Sequence, residues 1–181
     1  MKLKNRFKFM MWLCCIVSFL LLSINYIMYR MTAIEVFYPL WITFLTIFYH
    51  FAMRLIVGAI VGTVHKIKQP DYRAKWFQQK TFEPELYKKF QVKKWKKHMP
   101  TYSPEDFSLE KHSWEEIVIA TCGSEVVHEW IVVFSFVPLL FAILFGEFMV
   151  FLLTSIAAAV VDVMFVIMQR YNRPRLMRMI K

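Results

Sequence analysis

The chain has 181 residues, 58% of them hydrophobic and 18% aromatic, and carries a formal net charge of +10. That is too apolar for an ordinary soluble domain and too short for a large transporter, so one integral-membrane domain over residues 1–181 is the simplest organisation. The positive charge flanks apolar segments and no base-reading motif is present, which points to anionic lipid headgroups and away from nucleic acid.

The first apolar segment runs over residues 9–29, with no charge between Lys8 and Arg30. Lys2, Lys4, Arg6 and Lys8 ahead of it would suit a signal peptide. The run is long, however, and no small-residue cleavage site follows, so an uncleaved anchor is expected. Cys14, Cys15 and Cys122 have no spacing suited to a disulfide framework or zinc site. Packing as reduced thiols is the plain account of them, against palmitoylation of Cys14 or Cys15 or a nucleophilic Cys122. The second segment, residues 36–64, is interrupted by His50 and Arg54, which are four apart and share a helix face. Arg54 either snorkels to headgroups or clamps a phosphate or carboxylate.

Residues 65–114 switch to soluble, basic composition. Phe82, Leu86 and Phe90 recur every four residues, with Glu83 and Glu85 early and Lys93, Lys94, Lys96 and Lys97 late. This predicts a short interfacial helix, aromatic side on lipid, that breaks before Trp95. A solvated basic loop is the alternative. Ser103-Pro104-Glu105-Asp106 reads as a helix start. Ser113-Trp114-Glu115-Glu116 is a capping-box pattern that opens the third segment, residues 115–146. The fourth, residues 148–168, contains Asp162. About 20 apolar residues cross a bilayer core, and backbone groups in lipid must pair within their own segment. The expected fold is therefore all-α, with four transmembrane helices and a basic, partly helical cytoplasmic loop between the second and third.

Lys and Arg set the orientation. The N-terminus carries four, the stretch 65–114 carries twelve and the tail after Met168 carries five, whereas the two opposite turns hold only Arg30. A multi-pass cell-membrane protein with both termini cytoplasmic is expected. Arg54 then lies about 27 Å along its helix from Val36, and His50 about 21 Å, both in the inner half. Glu125, His128 and Glu129, together with Asp162, Gln169 and Arg170, fall at the same inner level. Ionisable groups are costly in hydrocarbon, so their convergence marks a polar site.

Glu125 and His128 are three apart and share a face, where a carboxylate can orient an imidazole that acts as a general base. An interfacial polar patch satisfying itself is the alternative. Asp162 has Arg54, His50 or His128 as expected partners. The arginines of Gln169-Arg170-Tyr171-Asn172-Arg173-Pro174-Arg175-Leu176 suit oxyanions or anionic headgroups. Metal chemistry is not expected: the five histidines are dispersed, His128-Glu129 lacks the second histidine of a zinc motif, and a single Glu-x-x-His is half of a di-iron pattern. No other cofactor is expected. A glycine-rich phosphate loop and a Gly-x-Ser-x-Gly elbow are also missing.

Three stretches resemble the glycosyl-4,4'-diaponeurosporenoate acyltransferases, small bacterial membrane enzymes of C30 carotenoid synthesis. They are Phe82-Glu83 followed by Val92-Lys93-Lys94-Trp95-Lys96-Lys97, then Glu125-Val126-Val127-His128 with Trp130, and the 169–176 run. Their order and spacing match over about residues 65–176. The resemblance implies transfer of a fatty acyl group from acyl-CoA or another activated carrier to a sugar hydroxyl of a glycosylated membrane lipid such as a glycosyl carotenoid. On this basis His128 is expected as the base and Glu125 as its support. Arg170, Asn172, Arg173 and Arg175 would bind the donor or developing charge, Lys94, Trp95 and Lys96 would seat the loop, and His50, Arg54 and Asp162 would line the substrate site. A non-catalytic lipid-binding scaffold is the alternative. A small transporter subunit is disfavoured because the outer helix halves lack charge.

Overall fold

A computed structural model describes residues 6–180; Lys2, Lys4 and Lys181, counted above in the basic flanks, lie outside the described residues. Helix is the only regular secondary structure among them: α1 (Arg6–Thr32), α2 (Phe37–Ile67), α3 (Glu83–Lys89), α4 (Val92–Trp95), α5 (Trp114–Phe134), α6 (Pro138–Phe145) and α7 (Phe148–Met177). Short 3-10 turns lie at Lys96–His98 and Pro104–Phe107. Four stretches are long and apolar enough to cross a membrane: α1, α2, α5 with α6, and α7. The chain is a multi-pass membrane protein.

The third segment, expected as one continuous helix, is two. Pro138 opens α6, and a proline can neither donate to the residue four earlier nor leave room for its carbonyl. That carbonyl belongs to Phe134, and it accepts the Tyr49 hydroxyl at 2.9 Å and the Val137 backbone N–H at 3.1 Å instead. α7 runs to Met177, well beyond the expected end at Met168, although Pro174 lies inside it. Gly146, at φ 70°, turns the chain from α6 into α7. A side chain would be strained there, whereas glycine adopts this backbone readily.

The chain divides into two compact units, Met1–Val57 with Trp130–Val161 and Gly58–Glu129 with Asp162–Lys181. In the first, Trp41, Ile42 and Phe151 form the core. The Trp41 ring meets Tyr26, Tyr38 and Phe145 edge-on at 5.4–5.9 Å, the arrangement that aromatic quadrupoles favour. α1 buries Met11, Ser18 and Asn25, one every seven residues. Ser18 and Asn25 donate back to the Cys14 and Leu21 carbonyls at 2.7 and 2.8 Å, so their polar groups stay satisfied within the helix. Large apolar residues such as Phe9, Ile16, Leu20 and Ile27 are exposed, as lipid-facing positions require.

In the second unit Tyr72, Val118 and Cys122 form a core with Phe77, Ile119 and Leu176 around it. Cys122 packs there as a buried apolar group. The capping box is formed: the Ser113 backbone N–H donates to Glu116 at 2.7 Å, and the Glu116 N–H donates to the Ser113 hydroxyl at 3.3 Å. The Tyr72 hydroxyl donates to Glu115 at 3.0 Å and Gln78 donates to the Tyr72 carbonyl at 2.9 Å, fixing the loop to the start of α5. In α3 the Phe82 and Phe90 stripe is outward, at 61% and 56% exposure, while Glu83 and Tyr87 turn inward. The helix breaks at Gln91, whose φ of 50° is left-handed, four residues before Trp95. Ser103 caps nothing: its ψ of 79° carries the side chain away from the following N–H groups, and only the 3-10 turn Pro104–Phe107 forms.

Candidate functional site

Apart from the surroundings of His50 and Arg54, the following geometry lies in the second unit. α5 and α7 supply most of it, because Thr121, Glu125 and His128 recur on one face of α5 and Asp162, Gln169 and Arg173 on one face of α7. Glu125 is fully buried. One of its oxygens accepts from Arg170 at 2.6 Å, and the other accepts from Arg173. Arg170 also donates to Glu83 at 2.7 Å and to the Trp76 and Gln78 carbonyls at 3.0 and 3.1 Å. Arg173 donates to the Thr121 hydroxyl, the Thr121 carbonyl and the Phe77 carbonyl at 3.0–3.2 Å. Tyr87 donates to the remaining oxygen of Glu83 at 2.9 Å. Burial, with the Glu83 carboxylate next to it, pushes the Tyr87 phenol well above its usual range.

Two carboxylates thus neutralise two guanidinium groups, and backbone carbonyls take the remaining forks. A buried guanidinium demands this, since its donors cannot be left without acceptors. The network latches residues 76–83 and α3 onto α5 and α7. Arg170 and Arg173, expected at the acyl donor, place most of their N–H groups on protein acceptors and so hold the loop.

The expected Glu125–His128 pair is replaced as well. With both Glu125 oxygens engaged by arginine, the imidazole turns to α7. His128 Nδ1 lies 2.8 Å from Asp162 Oδ1, and Asp162 is 1% exposed. The His128 ring stacks flat on Phe165, centroids 4.4 Å apart and planes within 5°. Asp162 and Phe165 are three apart on α7, so one face supplies both the acceptor and the platform. An Nδ1–H donated to Asp162 leaves Nε2 as the basic nitrogen. Beside this dyad, Glu129 accepts from the Trp76 indole at 3.1 Å, and Gln169 donates to Ser124 at 3.0 Å.

A third group lies around Tyr171. Lys96 donates to the Asn172 side-chain oxygen at 2.5 Å and sits 4.7 Å from the Tyr171 ring centre. Arg175 donates to the Tyr171 hydroxyl at 2.7 Å and sits 4.4 Å from the same ring centre. Burial, and then the charge of Arg175, push the Lys96 ammonium below its usual range. Lys94 is exposed, and the Trp95 indole donates to the Phe90 carbonyl at 3.0 Å. His50 and Arg54 belong to the first unit, where Arg54 donates to the His50 and Ala158 carbonyls at 3.1 Å and Tyr49 meets the buried His50 ring edge-on. Among the described residues no group of three or more His, Cys, Asp or Glu side chains is placed to hold a metal ion.

A family model for glycosyl-4,4'-diaponeurosporenoate acyltransferase matches residues 73–181, more than half of the chain. The chain belongs to this acyltransferase family. No curated protein and no solved structure matches it. The part shared with the diaponeurosporenoate acyltransferases contains every residue of the latch, the His128–Asp162 dyad and the Tyr171 group, whereas His50 and Arg54 precede it.

Sequence reasoning did not assign site roles to Trp76, Glu83, Tyr87, Phe165 and Tyr171. Glu83 carried two legible signals: it stands in the Phe82-Glu83 stretch shared with the acyltransferases, and Tyr87 follows four residues later on its face. The backbone acceptors at Trp76, Phe77 and Gln78 carry no signal in residue identity.

Proposed function

We propose that the protein transfers a fatty acyl group to a sugar hydroxyl of a glycosylated membrane lipid, a glycosyl carotenoid or a close chemical relative, at the cytoplasmic level of the membrane. Membership of the acyltransferase family supports the reaction class, and one observation supports the site: His128 is held by buried Asp162 at 2.8 Å. In this account His128 Nε2 takes the proton of the attacking hydroxyl. The sugar oxygen bonds to the acyl carbonyl carbon, the bond from that carbon to the donor's leaving group breaks, and the proton passes from the imidazolium to the leaving group. Asp162 is the positioning residue: it fixes the tautomer and supports the transient positive charge. The flat contact with Phe165 holds the ring plane. Lys94 and Trp95 seat the loop at the surface.

A positioned base contributes about 10²–10⁴-fold. His128→Ala in purified protein, assayed with a labelled acyl donor and glycolipid acceptor, is expected to lose that factor. Asp162→Asn is expected to lower kcat with KM unchanged, and Asp162→Glu to restore part of the loss. Near-normal turnover by His128→Ala would instead favour a lipid-binding scaffold.

A further inference from the structure

The cationic side chains of this unit divide into two kinds. Arg170 and Arg173 are neutralised by Glu83 and Glu125. Lys96 and Arg175 have no carboxylate partner among the described residues, although both lie over the Tyr171 ring, and Tyr171 is itself set edge-on against Tyr87 at 5.4 Å. Lys96 is half-buried. The ring attracts both cations, but the partial burial of Lys96 and its repulsion from Arg175 remain, and an anion would offset them.

The donors are also arranged for an oxyanion. Lys96 spends one N–H on the Asn172 oxygen, and the Asn172 amide nitrogen has no hydrogen-bond acceptor among the described residues. Arg175 spends one N–H on Tyr171 and keeps the rest of its fork. The result is an ammonium and a guanidinium from two separate elements, 4.7 and 4.4 Å from the Tyr171 ring centre, with the Asn172 amide bonded to the ammonium. Guanidinium binds phosphate through paired donors and ammonium binds it as a point charge. Burial first, and the charge of Arg175 second, lower the basicity of Lys96, and a bound phosphate would offset both.

Resting on the acyl-transfer reading above, we infer that Lys96, Asn172 and Arg175 form a phosphate-binding subsite that holds a phosphate ester. Two sources share that chemistry: the phosphates of an activated acyl donor such as an acyl-CoA, and the headgroup of an anionic phospholipid. In the first case the site docks the donor of the reaction; in the second it binds the surrounding leaflet.

The full chain in phosphatidylcholine nanodiscs separates the sources. One arm titrates a fluorescent acyl-CoA; the other measures energy transfer to fluorescent phosphatidylglycerol present at a few per cent. Lys96→Gln/Arg175→Gln is expected to weaken one of the two about tenfold or more, with acyl-pantetheine, which lacks the nucleotide phosphates, binding the native protein no better than the variant in the donor case. His128→Ala is expected to bind the probe as the native protein does while losing turnover, so failure of the base assignment and failure of this site are read separately. Thermal unfolding and the single variants, Lys96→Gln and Arg175→Gln, exclude misfolding as the cause of lost binding. Unchanged affinity for both probes in a folded double variant would overturn the subsite.

Discussion

Glu125 is engaged by groups that its sequence spacing does not announce. Its spacing from His128 suggested an orienting carboxylate, yet it lies between two guanidinium groups and is fully buried. Removing one partner of a buried ion pair costs about 3–5 kcal/mol, because the other charge is left uncompensated. Glu125→Gln should therefore lower thermal stability in detergent by an amount of that order, and a change near zero would contradict the latch. The spacing of Glu125 from His128 was legible, but its partners depend on how α7 rotates against α5, which residue identity does not encode. Asp162 shows the reverse case: of the three partners open to it, His128 is one that it meets, at 2.8 Å within this unit. Tyr87 adds a pH signature. Its folded phenol holds its proton more tightly than in the unfolded chain, where it is lost above about pH 10. The stabilisation is thus intact below about pH 10 and falls as pH rises beyond it. Native protein should lose thermal stability more steeply than Tyr87→Phe across that range.

At the scale of elements, the four apolar segments were plain because hydrophobic length is encoded directly in composition, and the capping box at Ser113 was plain because it is local. Breaks set by tertiary partners were harder to see. Pro138 was visible, but the carbonyl that it frees is shared between the Val137 N–H and the distant Tyr49 hydroxyl. The Phe82–Phe90 stripe was visible too, yet the buried side of α3 is chosen by Arg170 reaching Glu83. Close helix packing makes a sharper prediction. A Cβ on Gly123 would come within 2.9 Å of His65 Nδ1. Gly123→Ala should destabilise by about 1–3 kcal/mol through that overpacking, and His65→Ala in the same chain should recover much of the loss. Additive losses in the double variant would show that this contact is not the cause.

For the whole molecule, the family assignment and the four spans place a member of an acyltransferase family in a membrane, and the distribution of Lys and Arg predicts an inward-facing loop and termini. Reporter fusions at each terminus should then read as cytoplasmic. The chemistry suits that location: acyl chains and polyisoprenoid acceptors dissolve in the bilayer, and a sugar stands at headgroup level. Comparing lipid extracts by mass spectrometry is the most direct measurement, using cells that make the glycosylated acceptor and express either the native chain or His128→Ala at equal protein level. The native chain is expected to yield the acceptor plus one fatty acyl group, and His128→Ala to yield at least about a hundredfold less. The same acylated product in equal amount from both, or from neither, would contradict an acyl transfer carried by the His128–Asp162 dyad.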